Sequence, residues 1–229
     1  MAGAALPGRL TWQLADVVEL AEETPRVRTL ILRAPAWSGH LAGQHVDVRL
    51  TAEDGYQAER SYSVASAPED ELLALTVERL ADGEVSPYLA DELRPGDQLE
   101  LRGPIDGYFV WQEPLGGPLL LLAGGSGIVP LRAILRHRAA TGSSVPARLL
   151  YSVRSEEEII YRSELDALAG DGVEVRYTLT RARPEGWRGH LGRIDDALLQ
   201  QISWAPAERP LVYVCGPNGC LLYTSDAAD

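Results

Sequence analysis

The chain has 229 residues, of which 45% are apolar, and a formal net charge of −12 at pH 7. This length allows one large domain or two modest domains with a hydrophobic core. The acidic balance, in which all 21 strong cations are arginines, argues against nucleic acid and against an anionic membrane as partners. No apolar run approaches the ~20 residues of a membrane helix, and the N-terminus "MAGAALPGRL" lacks the pattern of an export signal.

Cysteine and histidine are sparse and give no sign of a metal centre. Cys215 and Cys220 cannot build a disulfide framework, nor a four-thiolate iron–sulfur site on this chain alone. This usage makes a cytoplasmic location the default. We predict no metal site, because the histidines lack metal-ligand spacing, and we interpret them as surface or turn residues. The four histidines are His40, His45, His137 and His190.

Up to about Phe109 the chain has the pattern of short strands separated by turn signals. "RVRTLILRAP" and "QHVDVRL" alternate apolar and polar residues, and "ELLALTVERL" and "DQLELRGP" follow. "VSPYLADEL" is predicted to form one short helix. Several short strands at this spacing predict an antiparallel β-barrel, which we assign to residues 1–112 as a first domain.

After a linker, "WQEPLGGP", the pattern changes to alternating strands and helices. "PLLLLAGG", "ARLLYSVR", "VEVRYTLTR" and "PLVYVCGP" are predicted to be strands, with helices in "VPLRAILRHRAA", "IIYRSELDALAG" and "IDDALLQQI". This order predicts a doubly wound parallel-sheet α/β domain over residues 113–219. Residues 220–229 break the pattern and are predicted to be a non-native tail on a chain truncated at its C-terminus.

A glycine-rich segment, "AGGSGIVP", joins the first α/β strand to its helix. Gly124, Gly125 and Gly127 allow a tight turn and let a pyrophosphate approach the amides at the helix N-terminus. Pro130 falls in the first helical turn, where its missing N–H costs nothing. A glycine loop alone also fits a bare strand-to-helix turn, but the strand–loop–helix context favours a dinucleotide site.

The end of the second α/β strand, "YSVRS", predicts the position of the nucleotide ribose. An acidic residue there suits the 2′-hydroxyl of NAD, whereas an arginine suits the 2′-phosphate of NADP. Ser152 and Arg154 therefore favour NADP(H), with Arg154 offering a charge-assisted fork, and Tyr161 is predicted to stack on adenine. Glutamates at 156–158 would repel a phosphate if they pointed inward, so NAD(H) stays open as the alternative.

Two further strand ends face the same predicted crevice, because ligands of open α/β sheets lie outside the carboxyl ends of the strands. Thr180 and Arg181 end the third strand and are predicted to contact the nucleotide. "VCGP", residues 214–217, ends the fourth strand. Taken alone, it also fits a buried cysteine before a Gly-Pro turn.

The segment "ERSYSVAS", residues 59–66, is either a polar strand facing water or a cofactor strand. Together with the glycine loop it resembles the ferredoxin–NADP reductase family, in which a flavin-binding barrel precedes a nicotinamide-nucleotide domain. The resemblance covers about residues 9–219, and "RSYS", "GEVSPYL", "GPIDGYF", "AGGSGIVP", "YSVRS" and "CGP" stand in the family's order. The chain looks most like the flavin reductase modules that supply electrons to oxygenases and related acceptors.

The resemblance implies a role for each residue of these motifs. Arg60 would pair with the flavin diphosphate, Tyr62 would pack on the isoalloxazine, and Ser63 would be a catalytic contact near flavin N5. Cys215 would be the second catalytic residue, near the nicotinamide. The other implied cofactor contacts are Gly216 and Pro217 around the nicotinamide slot, Ser66 in the phosphate motif, Val77 and Glu78 through their backbone, and Gly83, Val85 and Ser86 as a second anion site.

The implied function is an FAD-dependent enzyme that takes hydride from NAD(P)H and passes electrons to a ferredoxin or an oxygenase component. The second anion site favours FAD over FMN, and hydride transfer needs the reacting atoms roughly 3–3.5 Å apart. Two alternatives stay open. One is a non-catalytic flavin- and nucleotide-binding relay or regulatory subunit, and the other is a reductase that acts directly on small-molecule acceptors.

Overall fold

The computed structural model describes residues 10–105 and 107–217, so the predicted tail at 220–229 lies outside the described residues. The first half of the chain forms a six-stranded antiparallel sheet that is barrel-like. Its strands are β1 Trp12–Thr24, β2 Val27–Arg33, β3 His45–Thr51, β4 Gln57–Ser63, β5 Leu73–Glu78 and β6 Gln98–Ile105. The strand order β4-β3-β6-β1-β2-β5, with every neighbouring pair antiparallel, confirms the predicted antiparallel barrel.

Strand β3 shows why this half folds as a barrel. Val46 and Val48 are fully buried, whereas the alternating residues His45, Asp47 and Arg49 are half-buried, so one face of the strand packs on the core. Burial of each such side chain contributes about 1.5–3 kcal/mol. The helix predicted in "VSPYLADEL" is present as a helical turn over Tyr88–Glu92. The thirteen-residue β1 had no specific sequence prediction, although it lies at the centre of the sheet between β6 and β2.

The second half forms a five-stranded sheet whose strands are all parallel. Its strands are β7 Leu119–Gly124, β8 Ala147–Val153, β9 Val173–Leu179, β10 His190–Leu191 and β11 Leu211–Cys215, in the order β10-β9-β8-β7-β11. Its helices are α1 Ile128–Ala140, α2 Arg162–Leu168 and α3 Asp196–Ile202. The α/β prediction is confirmed, and the two-residue edge strand β10 is an addition to it.

The helices cover both faces of the parallel sheet. Helices α1 and α2 pack on the face that carries Leu121 and Leu149, and α3 packs on the face that carries Leu120 and Leu122. All six residues of β7 are buried, which explains the unbroken apolar run in the sequence. The carboxyl ends of β7, β8, β9 and β11 therefore meet at one edge of the sheet.

The two halves share part of one hydrophobic core. Val27, Ala65 and Ala74 of the barrel belong to the cluster that fills the space under α1. Trp111, at the start of the predicted linker, is fully buried in the same cluster and donates from Nε1 to the carbonyl of Gly116 at 2.9 Å. The linker segment is thus anchored to the core at its first residue.

Three of the four histidines lie in regular secondary structure and not in turns, with side chains that are still partly exposed. His45 lies in β3, His137 in α1 and His190 in β10, and each is half-buried. His40, which does lie in a connecting segment, has its Nε2 3.1 Å from the carbonyl of Ser66. Among the described residues, no group of three or more His, Cys, Asp or Glu side chains is placed to hold a metal ion. In the same part of the chain no helix is long and apolar enough to cross a bilayer.

Candidate functional site

A cavity of about 230 Å³ opens between the two sheets, at the carboxyl edge of the parallel sheet. This is the position where ligands of open α/β sheets bind. Seven residues of the sequence-based prediction line it: Glu78, Gly124, Gly125, Ser152, Arg154, Thr180 and Pro217. Glu158, from the acidic run at 156–158, also lines it. The lining residues without a sequence-based prediction are Thr24, Arg26, Val27, Ser126, Val153, Ile160, Arg193 and Ile194.

The glycine loop closes one wall of the cavity by direct backbone packing. A Cβ on Gly127 would lie 2.1 Å from the carbonyl oxygen of Cys215, and a Cβ on Gly216 would lie 3.0 Å from Cα of Gly124. Gly125 has a φ of +52°, a left-handed conformation that glycine adopts without strain. These contacts require glycine, because a side chain would separate the ends of β7 and β11.

Helix α1 begins directly after this loop, so its amides face the same edge of the sheet. Pro130 is the third residue of the helix, within its first turn as predicted. Cys215, at the end of β11, is half-buried, and burial raises the pKa of its thiol. The cysteine therefore stays a neutral thiol beside the glycine loop at neutral pH.

Charged side chains of both halves meet in the cavity. Nη2 of Arg26 lies 3.1 Å from Oε1 of Glu158 and 3.7 Å from Oε1 of Glu78. Arg154 and Arg193 also line the cavity, so three arginines face two glutamates and leave one net positive charge. The inward position of Glu158 shows that the acidic run at 156–158 does reach the cavity, where Arg26 neutralises it.

Strand β4 lies beside the Gly83–Ser86 loop on the barrel surface. Nη2 of Arg60 is 2.5 Å from Oε2 of Glu84, and both side chains are about half exposed. The hydroxyl of Tyr56 donates to the other carboxylate oxygen of Glu84 at 3.1 Å. The structure therefore brings together two segments, "RSYS" and "GEVS", that the resemblance assigned to one diphosphate.

Tyr62 and Ser63 end the same strand and are half-buried. Tyr62 packs against the barrel core, and burial raises the pKa of its phenol to about 12. The ring is thus a neutral, partly apolar surface at neutral pH. Ser63 pairs with His45 of β3, which holds its backbone in the sheet.

The structure contradicts two predicted side-chain roles. Tyr161 is 5% exposed, its ring is covered by the guanidinium of Arg132, and its hydroxyl hydrogen-bonds to Thr76, so it cannot stack on adenine. Ser66 is 2% exposed, and its Oγ accepts a hydrogen bond from the amide of Ala74 at 3.1 Å. The side chain of Tyr161 thus connects the α/β half to the barrel, and that of Ser66 connects two segments within the barrel, so neither faces a ligand.

The other predicted residues are placed as follows. Val77 and Val85 are buried in the barrel core, so only their backbone atoms could contact a ligand. Ser86 is 6% exposed, and its Oγ accepts from the amide of Leu80 at 3.1 Å, which closes the loop around Gly83. Arg181 is exposed outside the cavity lining, and its amide donates to the carbonyl of Arg154 at 3.0 Å.

Two family models match the chain, one on each half. The Oxidoreductase FAD-binding domain matches residues 12–111, and the Oxidoreductase NAD-binding domain matches residues 121–225. The fold and the site together thus define an oxidoreductase module in which an FAD-binding barrel precedes an NAD-binding α/β domain.

Similar proteins carry the same two halves. The chain is 35% identical over 211 residues to ferredoxin–NADP reductase B of Sorangium cellulosum, which covers 88% of this chain and 85% of the relative. It is 31% identical to the glycine betaine monooxygenase reductase subunit of Chromohalobacter salexigens over 88% of this chain, but spans just 56% of that subunit. The chain belongs to the ferredoxin–NADP reductase family.

A solved structure shares the whole described fold. The ferredoxin NADP⁺ reductase from Neisseria gonorrhoeae with bound FAD and NADP superposes with a TM-score of 0.82 at 24% identity. The alignment covers 95% of this chain and 90% of that chain. The barrel and the parallel sheet are therefore an arrangement that this fold shares with an experimentally determined reductase.

The residues present fit both nucleotides of such a module. Gly124 and Gly125 line the cavity without side chains, so a pyrophosphate could approach the backbone amides before α1 closely. The exposed guanidinium of Arg60 stands beside the Gly83–Ser86 loop, a donor set suited to a diphosphate. The chemistry of the two sites thus agrees with NAD(P)H in the cavity and FAD along β4.

Proposed function

We propose that this chain is a catalytic module in which NAD(P)H, bound in the cavity, reduces FAD held along β4. The observation that carries the proposal is the composition of the cavity wall, because Gly125 of the glycine loop faces Glu78 of the barrel. A Cβ on Gly125 would lie 4.0 Å from Oε2 of Glu78. A ligand on the glycine loop would therefore touch the flavin half as well. We assign the domains to residues 1–112 and 113–219; the FAD-binding match at 12–111 lies within the first, and the NAD-binding match at 121–225 begins within the second and runs six residues past its end.

The residues of the α/β half are proposed to bind and orient the nicotinamide nucleotide. Gly124, Gly125 and Gly127 admit the pyrophosphate to the amides before α1. Ser152 and Arg154, at the end of β8, would hold a 2′-phosphate, with Thr180 on the neighbouring strand end. The neutral thiol of Cys215 would lie against the nicotinamide, in the slot formed by Gly216 and Pro217.

The residues of the barrel are proposed to hold the flavin. Arg60 and the Gly83–Ser86 loop would bind the diphosphate, and the neutral ring of Tyr62 would pack on the isoalloxazine. Ser63 would donate a hydrogen bond near its reactive nitrogen. When bound, FAD would supply the redox chemistry, since a flavin can accept a hydride and release electrons one or two at a time.

The proposed electron acceptor is another protein, a ferredoxin or an oxygenase component. The support comes from the relatives, of which one is named a ferredoxin–NADP reductase and one a monooxygenase reductase subunit. Their shared two-domain module would deliver electrons from the same flavin position to different partners. Turnover with dyes but with no iron–sulfur protein would instead favour small-molecule acceptors.

An anaerobic spectrum tests the proposal directly. The protein is loaded with FAD, freed of excess flavin, and mixed with NADPH, and with NADH in a fresh sample. We expect rapid bleaching of the bound flavin, and the faster nucleotide identifies the donor. Bound flavin that neither nucleotide bleaches would contradict catalysis and support the non-catalytic relay, and a colourless protein would contradict the flavin site on β4.

Replacing Arg154 with alanine is expected to weaken the binding of NADPH and to leave the binding of NADH unchanged. A charge-assisted hydrogen bond contributes about 1.5–3 kcal/mol, so the apparent affinity for NADPH should fall roughly 10- to 100-fold. The side chain is exposed, so the fold should be unaffected. The check is the dependence of the flavin bleaching rate on the concentration of each nucleotide. An equal loss for NADPH and NADH would remove the basis for a preference for NADPH.

A further inference from the structure

Helix α1 carries a buried arginine that crosses from the α/β half to the barrel. Arg132 is 9% exposed, and its Nη1 donates to the carbonyl of Ala65 at 2.9 Å. Its Nε and Nη2 donate to Oε2 of Glu164 in α2 at 2.8 and 2.5 Å. The guanidinium carbon also lies 4.2 Å from the ring centroid of Tyr161. This guanidinium thus contacts the barrel segment, helix α2 and the ring of Tyr161 at the same time.

A second arginine, one helical turn later, repeats the connection. Nη1 of Arg136 donates to Oε1 of Glu164 at 3.0 Å, and its Nη2 donates to both carboxylate oxygens of Asp70 at 2.7 and 2.8 Å. Glu164 therefore joins the two arginines, and the two arginines reach the two ends of the barrel segment 65–70. Two arginines and two carboxylates balance each other in this network, in which Arg132 is the buried member and the other three side chains are about 30% exposed.

The barrel segment is held from its other side as well. The amide of Ala65 donates to the carbonyl of Ala74 at 2.7 Å, and the amide of Ala74 donates to Oγ of Ser66 at 3.1 Å. Thr76, on the same strand as Ala74, hydrogen-bonds to the hydroxyl of Tyr161. Segment 65–70 is therefore fixed between β5 and α1, and its position depends on both.

Arg132 and Ala65 each lie close in the chain to a segment proposed to bind a cofactor. Arg132 lies one helical turn after Ile128, the first residue of α1 and the end of the glycine loop. Ala65 follows Ser63, the last residue of β4, by two positions. One guanidinium thus ties the start of the nucleotide-binding helix to the end of the flavin-binding strand.

We propose that Arg132 is a positioning residue that sets the distance between the nicotinamide and the flavin through the carbonyl of Ala65. This inference rests on the proposed function, because it assigns one reactant to each side of the connection. Hydride transfer depends steeply on that distance, and a misplacement of about 1 Å costs roughly 100-fold in rate. Arg132 itself would contact neither cofactor.

The test compares Arg132→Met and Arg132→Lys with a matched variant on the same helix, Arg138→Met. Arg138 is 4% exposed, and its guanidinium donates to the carbonyls of Val145 and Asp171, both within the α/β half. Flavin-loaded protein is mixed with the faster nucleotide in a stopped-flow instrument. The rate of flavin bleaching at saturation, its deuterium isotope effect and the nucleotide dissociation constant are measured. In flavin-free protein, hydrogen exchange of segment 65–74 is measured as an independent readout.

We expect Arg132→Met to slow bleaching at saturation roughly 10- to 100-fold, while flavin content and the nucleotide dissociation constant change less than about threefold. Exchange of segment 65–74 should become faster, and Arg132→Lys should recover part of both effects. Arg138→Met should leave bleaching and exchange of that segment unchanged. If Arg132→Met does not fold, the same comparison is made with Arg132→Lys and Glu164→Gln.

The outcomes separate this inference from the proposed function. Wild-type protein whose flavin is not bleached would contradict the proposed function itself. If the flavin of the wild-type protein is bleached and the Arg132 variants bleach at the same rate, the positioning role alone is overturned. Equal slowing by Arg138→Met would also overturn it, because the effect would then come from general loss of helix packing.

Discussion

Replacement of Gly127 by alanine is expected to slow reduction of the flavin by NAD(P)H roughly 100-fold. The new Cβ would lie 2.1 Å from the carbonyl oxygen of Cys215 and 2.7 Å from the amide nitrogen of Gly216. These atoms belong to backbone that cannot rotate away, so the ends of β7 and β11 must separate. A separation near 1 Å at a site that positions a reacting group costs roughly 100-fold in rate, and overpacking costs about 1–3 kcal/mol of stability. The measurements are the bleaching rate and the thermal unfolding midpoint.

Gly142→Ala is the matched control for this prediction. Gly142 has a φ of +66°, is exposed, and has no atom within 4 Å of an added Cβ. Its replacement should cost about 1–2 kcal/mol through backbone strain and leave the bleaching rate unchanged. A normal bleaching rate in Gly127→Ala would show that close packing of these strand ends is not needed for nucleotide binding.

Replacement of Arg60 by alanine is expected to remove the flavin while leaving the protein folded. The guanidinium is about half exposed and supports no part of the core, whereas a charge-assisted contact to a phosphate is worth about 1.5–3 kcal/mol. The FAD dissociation constant should therefore rise roughly 10- to 100-fold. Flavin content after gel filtration and a binding titration of the flavin-free protein give the two readouts.

Glu84→Gln provides the opposite control at the same site. Its carboxylate is 2.5 Å from the guanidinium of Arg60, so it competes with a phosphate for that cation. Removing this charge should leave FAD binding equal or tighter. Arg176→Ala, which breaks a pair with Glu174 on β9, should have no effect on FAD. Full flavin occupancy in Arg60→Ala would contradict the diphosphate role.

Much of the fold follows from local patterns in the chain. The apolar run of β7 and the helical pattern of α1 identify a buried parallel strand and its helix, because burial on both faces removes alternation. Strand β10 could not be predicted in this way, because its two residues are too few for a hydrophobic pattern and are ordered by pairing with β9. In the barrel, β1 mixes acidic and apolar residues along thirteen positions, which hides its regularity.

The site residues also fall into two groups, those that a sequence pattern reveals and those that it does not. Glycines and strand-end residues are recognisable, because backbone geometry and the sheet edge dictate where they stand. The direction of a side chain cannot be recognised in the same way. The backbone of Tyr161 has a φ of +60°, and its ring turns into the core. Arg26 and Arg132 carry no signal either, since their partners Glu158 and Ala65 lie 132 and 67 positions away in the chain.

The shared core described above limits how far the two halves can be treated as separable modules. Val27, Ala65 and Ala74 are each less than 7% exposed, and they lose their cover if the α/β half is cut away. A barrel excised after residue 112 would present these apolar side chains, together with Trp111, to water. The unit that could be transplanted or fused to another protein is therefore the pair of halves, with the junction placed outside both sheets.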